Sequence, residues 1–264
     1  MNNVCKIMEK YGCAAVIQAV TEAEWNAVPG MYPNWEELRF DGDSQAYFTA
    51  EFLRGGKPFR VIAVRQNEMG MISAAVTSMK AISRFRPKYI IMVGIAAGVA
   101  LSDSDEQFYG DVMVADEVWN CGTGKFVSPE KASIRFDSVG FIPRPTSVEL
   151  LSDIRGFVEQ AISSEENQCH VFIGAMACGH SVITNREILD KHIRVHNRRT
   201  IGLDMESYAV AYAAQYADVP QPKALIINSV CDFADSEKSD KYQKFAAYTS
   251  CEFAKMLYEK YLPV

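Results

Sequence analysis

No apolar run in this chain reaches the roughly 18 residues that a membrane-crossing helix needs, so no span is expected. Cysteine pairing motifs are also missing. The seven cysteines, at 5, 13, 121, 169, 178, 231 and 251, include no CxxC and are irregularly spaced. An odd, irregular set fits reduced, mostly buried thiols better than a disulfide framework. Histidine is scarce, at four residues, and only His192 and His196 stand at helical spacing. No acid or cysteine completes a ligand set around them, so no metal site is expected. Basic charge is not in excess: 27 Lys and Arg face 33 Asp and Glu, for a net charge of −6. That balance argues against general nucleic-acid binding. No repeat, low-complexity tract or long linker divides the chain, and one domain over 1–264 is expected. Residues 1–13 lack an apolar signal core and a small-residue cleavage site, which predicts a cytoplasmic location.

What the chain has is apolar material, 48 % of residues, arranged in short runs. Segments 14–20, 47–53, 60–65, 88–95, 111–119, 170–177 and 224–230 read as strands. Runs 88–95 and 224–230 are almost wholly apolar, as in strands buried on both faces. Helical spacing predicts helices over 68–85, 147–163, 186–196, from Asp204 to the prolines at 220 and 222, and over 239–261 capped by Ser239. The first of these puts Ile72, Ala75, Val76, Met79, Ile82 and Phe85 on its apolar face, and the last puts Tyr242, Phe245 and Phe253 in the core. Residues 26–45 read as a loop or a short helical turn, and 120–147 show little periodicity. Strands alternating with helices imply an α/β fold: one three-layer domain whose central, mostly parallel mixed sheet is flanked by helices.

In such sheets ligands bind beyond the carboxyl ends of strands. The loops there are Glu22–Glu24, Gly94–Gly98, Cys178–Ile183 and Asp232–Asp235, joined by Glu206 at a helix start. Carboxylates without a paired His, Lys or nucleophilic Ser point to acid–base work without a covalent protein intermediate. The Gly94–Gly98 loop lacks both GxGxxG spacing and the Lys-Ser/Thr of a P-loop. Its small residues permit close backbone approach to a ligand, or merely a tight turn. Each acid also has a plain structural reading: Asp232 closing a turn with Ser236, Glu206 favoured by a helix dipole, Glu24 facing solvent. The arginines at 194, 198 and 199 read as a solvated helix end or as contacts for a 5′-phosphate.

Four stretches carry a family resemblance: MVGIAAGV at 92–99, GAMACGHSVI at 174–183, GLDMESYAVA at 202–211 and SVCDFADSEKSDKY at 229–242. In order and spacing the chain resembles the purine nucleoside phosphorylase-like superfamily, which holds nucleoside phosphorylases and methylthioadenosine/S-adenosylhomocysteine nucleosidases. The resemblance spans 14 to about 258. EWNAV at 24–28 and EMG at 68–70 look closer to the phosphorylase-like domains fused to signalling or defence modules. It implies that Glu206 binds the ribose hydroxyls, with Met205 under the sugar, and that Asp232 serves N7 of the purine. Glu24, or Glu22 in its place, orients the attacking water. Backbone groups around Val182 and Ile183 would bind the base, and Gly94, Ile95, Ala96, Ser181 and Cys231 would also contact the substrate. The aromatic that usually stacks on the base is replaced by Val182. Where phosphorylases carry Arg and Ser/Thr for phosphate, this chain has Met92 and Ile95, and a phosphate dianion without a cation or hydroxyl is poorly held. The resemblance therefore implies a purine, adenine-type nucleosidase using water, with no cofactor, acting on a nucleoside or nucleotide, and assembled as a homodimer or hexamer through residues 108–145. A phosphate-dependent phosphorylase and a non-catalytic nucleoside sensor are the alternatives.

Overall fold

The computed structural model describes residues 12–99, 106–136 and 139–264. Residues 1–11, read above for a leader, lie outside the described set, as do 100–105 and 137–138. The chain begins with β1 (Cys13–Ala19), a short α1 (Glu22–Ala27), and a hairpin series β2 (Glu36–Phe40), β3 (Asp43–Arg54) and β4 (Lys57–Arg65). Next come α2 (Met71–Phe85), β5 (Pro87–Gly98) and β6 (Val112–Asn120), then β7 (Gly124–Val127), β8 (Ile134–Phe136) and β9 (Val139–Pro143). The rest is β10 (Ser147–Glu149), α3 (Arg155–Ile162), β11 (Val171–Cys178), α4 (Arg186–Ile188) with a further helical turn, β12 (Thr200–Asp204), α5 (Ser207–Gln215), β13 (Lys223–Asp232) and α6 (Gln243–Met256).

The main sheet runs β10-β6-β11-β12-β5-β1-β4-β3-β2, with β13 bonded to both β5 and β6. Strands β5, β13, β6, β11 and β12 thus close into a ring. Parallel pairs include β1–β5, β5–β13 and β6–β11. Pairs β5–β12 and β6–β13 are antiparallel, so the sheet is mixed even at its centre. Strand alternation feeds two apolar layers. Ile90, Met92 and Ile226 face a cluster with Ala74, Ala81 and Val210 of α2 and α5. Tyr89, Ile91, Val93, Leu225 and Ile227 face the opposite cluster, with Val158, Phe253 and Leu257. The continuous apolar runs predicted for β5 and β13 are explained by burial on both faces.

Several expectations change. Residues 26–45 contain β2, and 120–147 hold a separate antiparallel sheet, β7-β9-β8. The helix predicted over 147–163 is instead β10 followed by α3: Ser147–Glu149 pair with the open edge of β6, and Leu151 turns the chain with φ 62° before the helix starts. Ser239 makes no side-chain cap bond. Phe253 is core, but Phe245 is exposed. On α2 the buried face is Ala74, Thr77, Ser78, Ala81, Ile82 and Phe85, while Ile72, Val76 and Met79 are exposed, Ile72 by 84 %. Small residues on the inner face let α2 approach β1 and α5 closely, and the larger aliphatics are left outside. No helix among the described residues is long and apolar enough to cross a membrane.

Candidate active site

The site begins at the end of β1. Thr21-Glu22-Ala23-Glu24 is a capping box: Thr21 Oγ1 accepts from the Glu24 N–H (3.3 Å), and Glu24 Oε2 accepts from the Thr21 N–H (2.6 Å). The same oxygen accepts from Val20 N–H (2.9 Å), and Oε1 accepts from Ile95 N–H on β5 (2.9 Å). Glu24 therefore points inward, 3 % exposed, whereas Glu22 faces solvent and drops out as its alternative. Burial raises the Glu24 pKa above the usual carboxylate range, opposed by these backbone donors.

Gly94 does not line the pocket; it makes room behind it. A Cβ there would sit 2.4 Å from Glu24 Oε1 and 3.0 Å from Asn228 Oδ1. Asn228 is fully buried on β13, and its Nδ2 donates to Asp204 Oδ2 at 3.0 Å. Asp204 also accepts from the Ser207 hydroxyl (2.7 Å) and the Ser207 N–H. Burial pushes its pKa up as well.

Glu206 stands at the N-cap of α5, 6 % exposed, where Oε1 accepts from Gly70 N–H at 2.5 Å. Gly70 has φ 102°, a left-handed conformation that glycine tolerates, and it starts α2. Burial first, and then the nearby Asp204 charge, push the Glu206 pKa up to about 8. Asp232 closes β13, 3 % exposed; Oδ1 accepts from Ala234 N–H at 2.9 Å, and Oδ2 lies 3.4 Å from Lys238 Nζ. The turn partner is Ala234, not Ser236.

Glu24, Glu206, Asp232, Met205, Ile95, Ala96, Ser181, Val182, Ile183 and Cys231 all line one pocket. Sequence reading missed Thr21, Met69, Asp204, Lys238 and Gln243, which line it too. A signal for Thr21 existed in the T-x-x-E capping pattern, and Asp204 and Lys238 sit inside the motifs quoted above. The arginines at 194, 198 and 199 are not among the lining residues; Arg199 pairs with Asp116. The Cys178 and Cys231 thiols are buried and their pKa values are raised by desolvation, which makes them poor nucleophiles. His192 is buried with its Nε2 on the Cys121 carbonyl (2.8 Å), and no His/Cys/Asp/Glu group suited to a metal occurs among the described residues.

The raised carboxyls make stability pH-dependent. Glu206 holds its proton more tightly folded than unfolded, so its contribution is full below the ordinary carboxyl pKa and is lost as pH rises to about 8. Glu24 and Asp204 shift in the same direction, while the lowered His192 works the opposite way. Urea midpoints of the unliganded protein and of Glu206→Gln should therefore diverge in favour of the variant between pH 5 and 8. A wild-type minus variant difference that stays flat over this window would contradict the assignment.

Residues 15–263 match the family model described as Phosphorylase superfamily. The uncharacterized protein y4jS of Sinorhizobium fredii is 30 % identical, over 95 % of this chain and 60 % of its own length. ATP nucleosidase Cap17 of Escherichia coli is 24 % identical over 80 % of this chain and 44 % of its own length. The chain thus spans about half the length of these relatives. Among solved structures, the 5′-methylthioadenosine/S-adenosylhomocysteine nucleosidase of Neisseria meningitidis in complex with methylthio-immucillin-A superposes with a TM-score of 0.72 at 20 % identity, covering 92 % of this chain and 97 % of that one. At that identity the likeness is one of fold.

Proposed function

Since the chain belongs to the phosphorylase superfamily, we propose that it is a nucleosidase, which cleaves the N-glycosidic bond of a purine, adenine-type ribonucleoside or nucleotide with water as nucleophile. The observation that carries this reading is the surroundings of Glu24. Its carboxyl is bonded to the Ile95 N–H, and Met92 and Ile95 stand where phosphate would need a cation and a hydroxyl. Lys238, the one cationic side chain among the described lining residues, lies at the Asp232 end, 3.4 Å from that acid.

Heterolysis builds positive charge on the ribose and negative charge on the departing base. Asp232 gives its proton to N7, Glu206 hydrogen-bonds the ribose hydroxyls, and Glu24 takes a proton from the water that attacks C1′. The hydroxide equivalent ends on C1′, and the C1′–N9 electrons leave with the purine. Names of the relatives include an ATP nucleosidase and a methylthioadenosine/S-adenosylhomocysteine nucleosidase, so both 5′-phosphorylated and 5′-thio substrates belong in the assay. Purified protein is incubated with adenosine, methylthioadenosine, inosine and ATP, with and without phosphate, and free base is quantified. Release without phosphate is expected. Release only with phosphate would make the protein a phosphorylase; ligand binding without turnover would make it a sensor.

The exposed Met69, Ile72, Val76 and Met79 support a homo-oligomer, because a row of aliphatics beside the pocket is costly to leave in water. The α2 face thus joins residues 108–145, where Phe108, Phe126 and Val139 are also exposed, as a candidate contact between copies. Light scattering should give at least a dimer, and Ile72→Glu with Val76→Glu should shift it to monomer. A wild-type monomer would remove this assembly.

A further inference from the structure

We propose that Asn228 is the positioning residue for the general base: held by Asp204, it turns its amide oxygen toward Glu24 and accepts a hydrogen bond from the proton that Glu24 takes from the attacking water. The proposal rests on the nucleosidase reading above and deepens it.

Asn228 lies within β13, paired with Gly94 of β5 on one side and Met113 of β6 on the other, and is fully buried. A buried amide ordinarily finds partners at both ends. Here Nδ2 donates to Asp204 Oδ2 at 3.0 Å, while Oδ1 has no hydrogen-bond partner among the described residues. With Asp204 ionised the amide cannot turn over, because an oxygen in place of Nδ2 would set acceptor against acceptor. Asp204 is itself fixed by the Ser207 hydroxyl at 2.7 Å. The orphan oxygen borders Glu24: the point where a side chain at Gly94 would begin lies 2.4 Å from Glu24 Oε1 and 3.0 Å from Asn228 Oδ1. Glycine at this position leaves the two oxygens open to each other.

The two Glu24 oxygens are not equivalent. Oε2 accepts from the N–H groups of Val20 and Thr21, whereas Oε1 accepts from that of Ile95 alone. Oε1 therefore has the free lone pair for a proton. In the step, the water oxygen bonds to C1′, the C1′–N9 pair leaves with the purine, and the water's proton moves to Oε1. Before the transfer Asn228 Oδ1 faces a carboxylate oxygen. After it, the new O–H donates to Oδ1. The contact is thus worth more in the transition state than in the ground state, the condition for raising kcat. On product release Glu24 returns the proton to solvent, and Asp232 recovers one. Asp204, Glu206 and Asp232 line the same pocket, and the Cys231 and Cys251 thiols also feel the Glu24 charge; burial holds Glu206 and both thiols toward their neutral forms.

The test is a ¹³C NMR titration of the full chain labelled at its Glu carboxyls, with the Glu24 signal assigned by its loss in Glu24→Gln, beside steady-state kinetics. Asn228→Leu keeps the volume and removes the acceptor. Its Glu24 midpoint should fall by about one pH unit and its kcat by roughly tenfold, the scale of one buried hydrogen bond, with KM within about 3-fold of wild type. Asn228→Asp keeps the shape and an oxygen toward Glu24, so its Glu24 midpoint should stay at or above the wild-type value. That variant carries the test if Asn228→Leu does not fold, and a Glu24 midpoint below wild type in it would overturn the proposal. Unchanged kcat or an unchanged midpoint in Asn228→Leu would do the same, and so would a raised midpoint, which would mean that the amide presents Nδ2 to Glu24. No base release by the wild type would instead sink the nucleosidase reading, while the titration would still report the contact.

Discussion

Asp232→Asn is expected to lower kcat for a purine ribonucleoside by at least roughly 10²-fold, the scale of one general acid. The variant should fold normally. Asn keeps an oxygen for the Ala234 N–H, and the altered group lies at a pocket wall, not inside the apolar core. What is lost is the proton for N7. An amide can donate a hydrogen bond to the departing base, but it cannot neutralise it. The loss should therefore appear in kcat, with modest change in KM, since ground-state contacts survive. Steady-state kinetics beside a thermal melt checks both halves. Turnover equal to wild type would remove Asp232 from the acid role.

Glu24→Gln should be at least as damaging, lowering turnover by roughly 10²–10⁴-fold. Here stability suffers too. Both carboxylate oxygens of Glu24 accept backbone N–H bonds, from Val20 and Thr21 on one side and Ile95 on the other. Glutamine offers one oxygen, so its NH₂ must confront an N–H at one end, at a cost of about 1–3 kcal/mol. Gly94→Ala separates the two effects. It leaves the carboxyl in the chain but places a Cβ 2.4 Å from Oε1, which displaces Glu24 from the Ile95 N–H. Turnover should fall in this variant as well. Full activity in Glu24→Gln would mean that water is activated by another group, and full activity in Gly94→Ala would mean that the Glu24 position is not critical.

How far the fold was legible depended on where each strand is buried. Strands β1, β5 and β13 were evident because both of their faces meet apolar layers, which leaves a near-continuous run of Val, Ile and Leu. Strand β12 was not among the strands read from the sequence. Thr200–Asp204 is a strand only because it lies between β11 and β5, with Thr200 Oγ1 accepting from the Trp119 indole N–H. Strand β10 looked helical because three residues at a sheet edge carry too little pattern to oppose the helix that follows. The α2 face was misassigned for a different reason: hydrophobicity ranks Ile72 and Val76 above Ala74 and Ser78, but contact distance favours the small residues.

The candidate acids were recognisable from chemistry and local position alone. A carboxylate at the end of an apolar strand or the start of a small-residue helix stands out without coordinates, and so does the lack of a cation or hydroxyl near Gly94. Both are properties of neighbouring residues, which spacing records. Convergence is another matter. That Glu24 and not Glu22 turns inward, that Ile95 supplies its backbone donor, that burial, with Asp204 second, raises the Glu206 pKa to about 8, and that Lys238 rests on Asp232 are decided by how the strand ends close around one pocket. The Glu24–Ile95 contact joins residues 71 apart in the chain, and the near-neighbour pairs owe their burial to the elements packed around them. Burial and electrostatic coupling act through space, and so only the tertiary structure decides them.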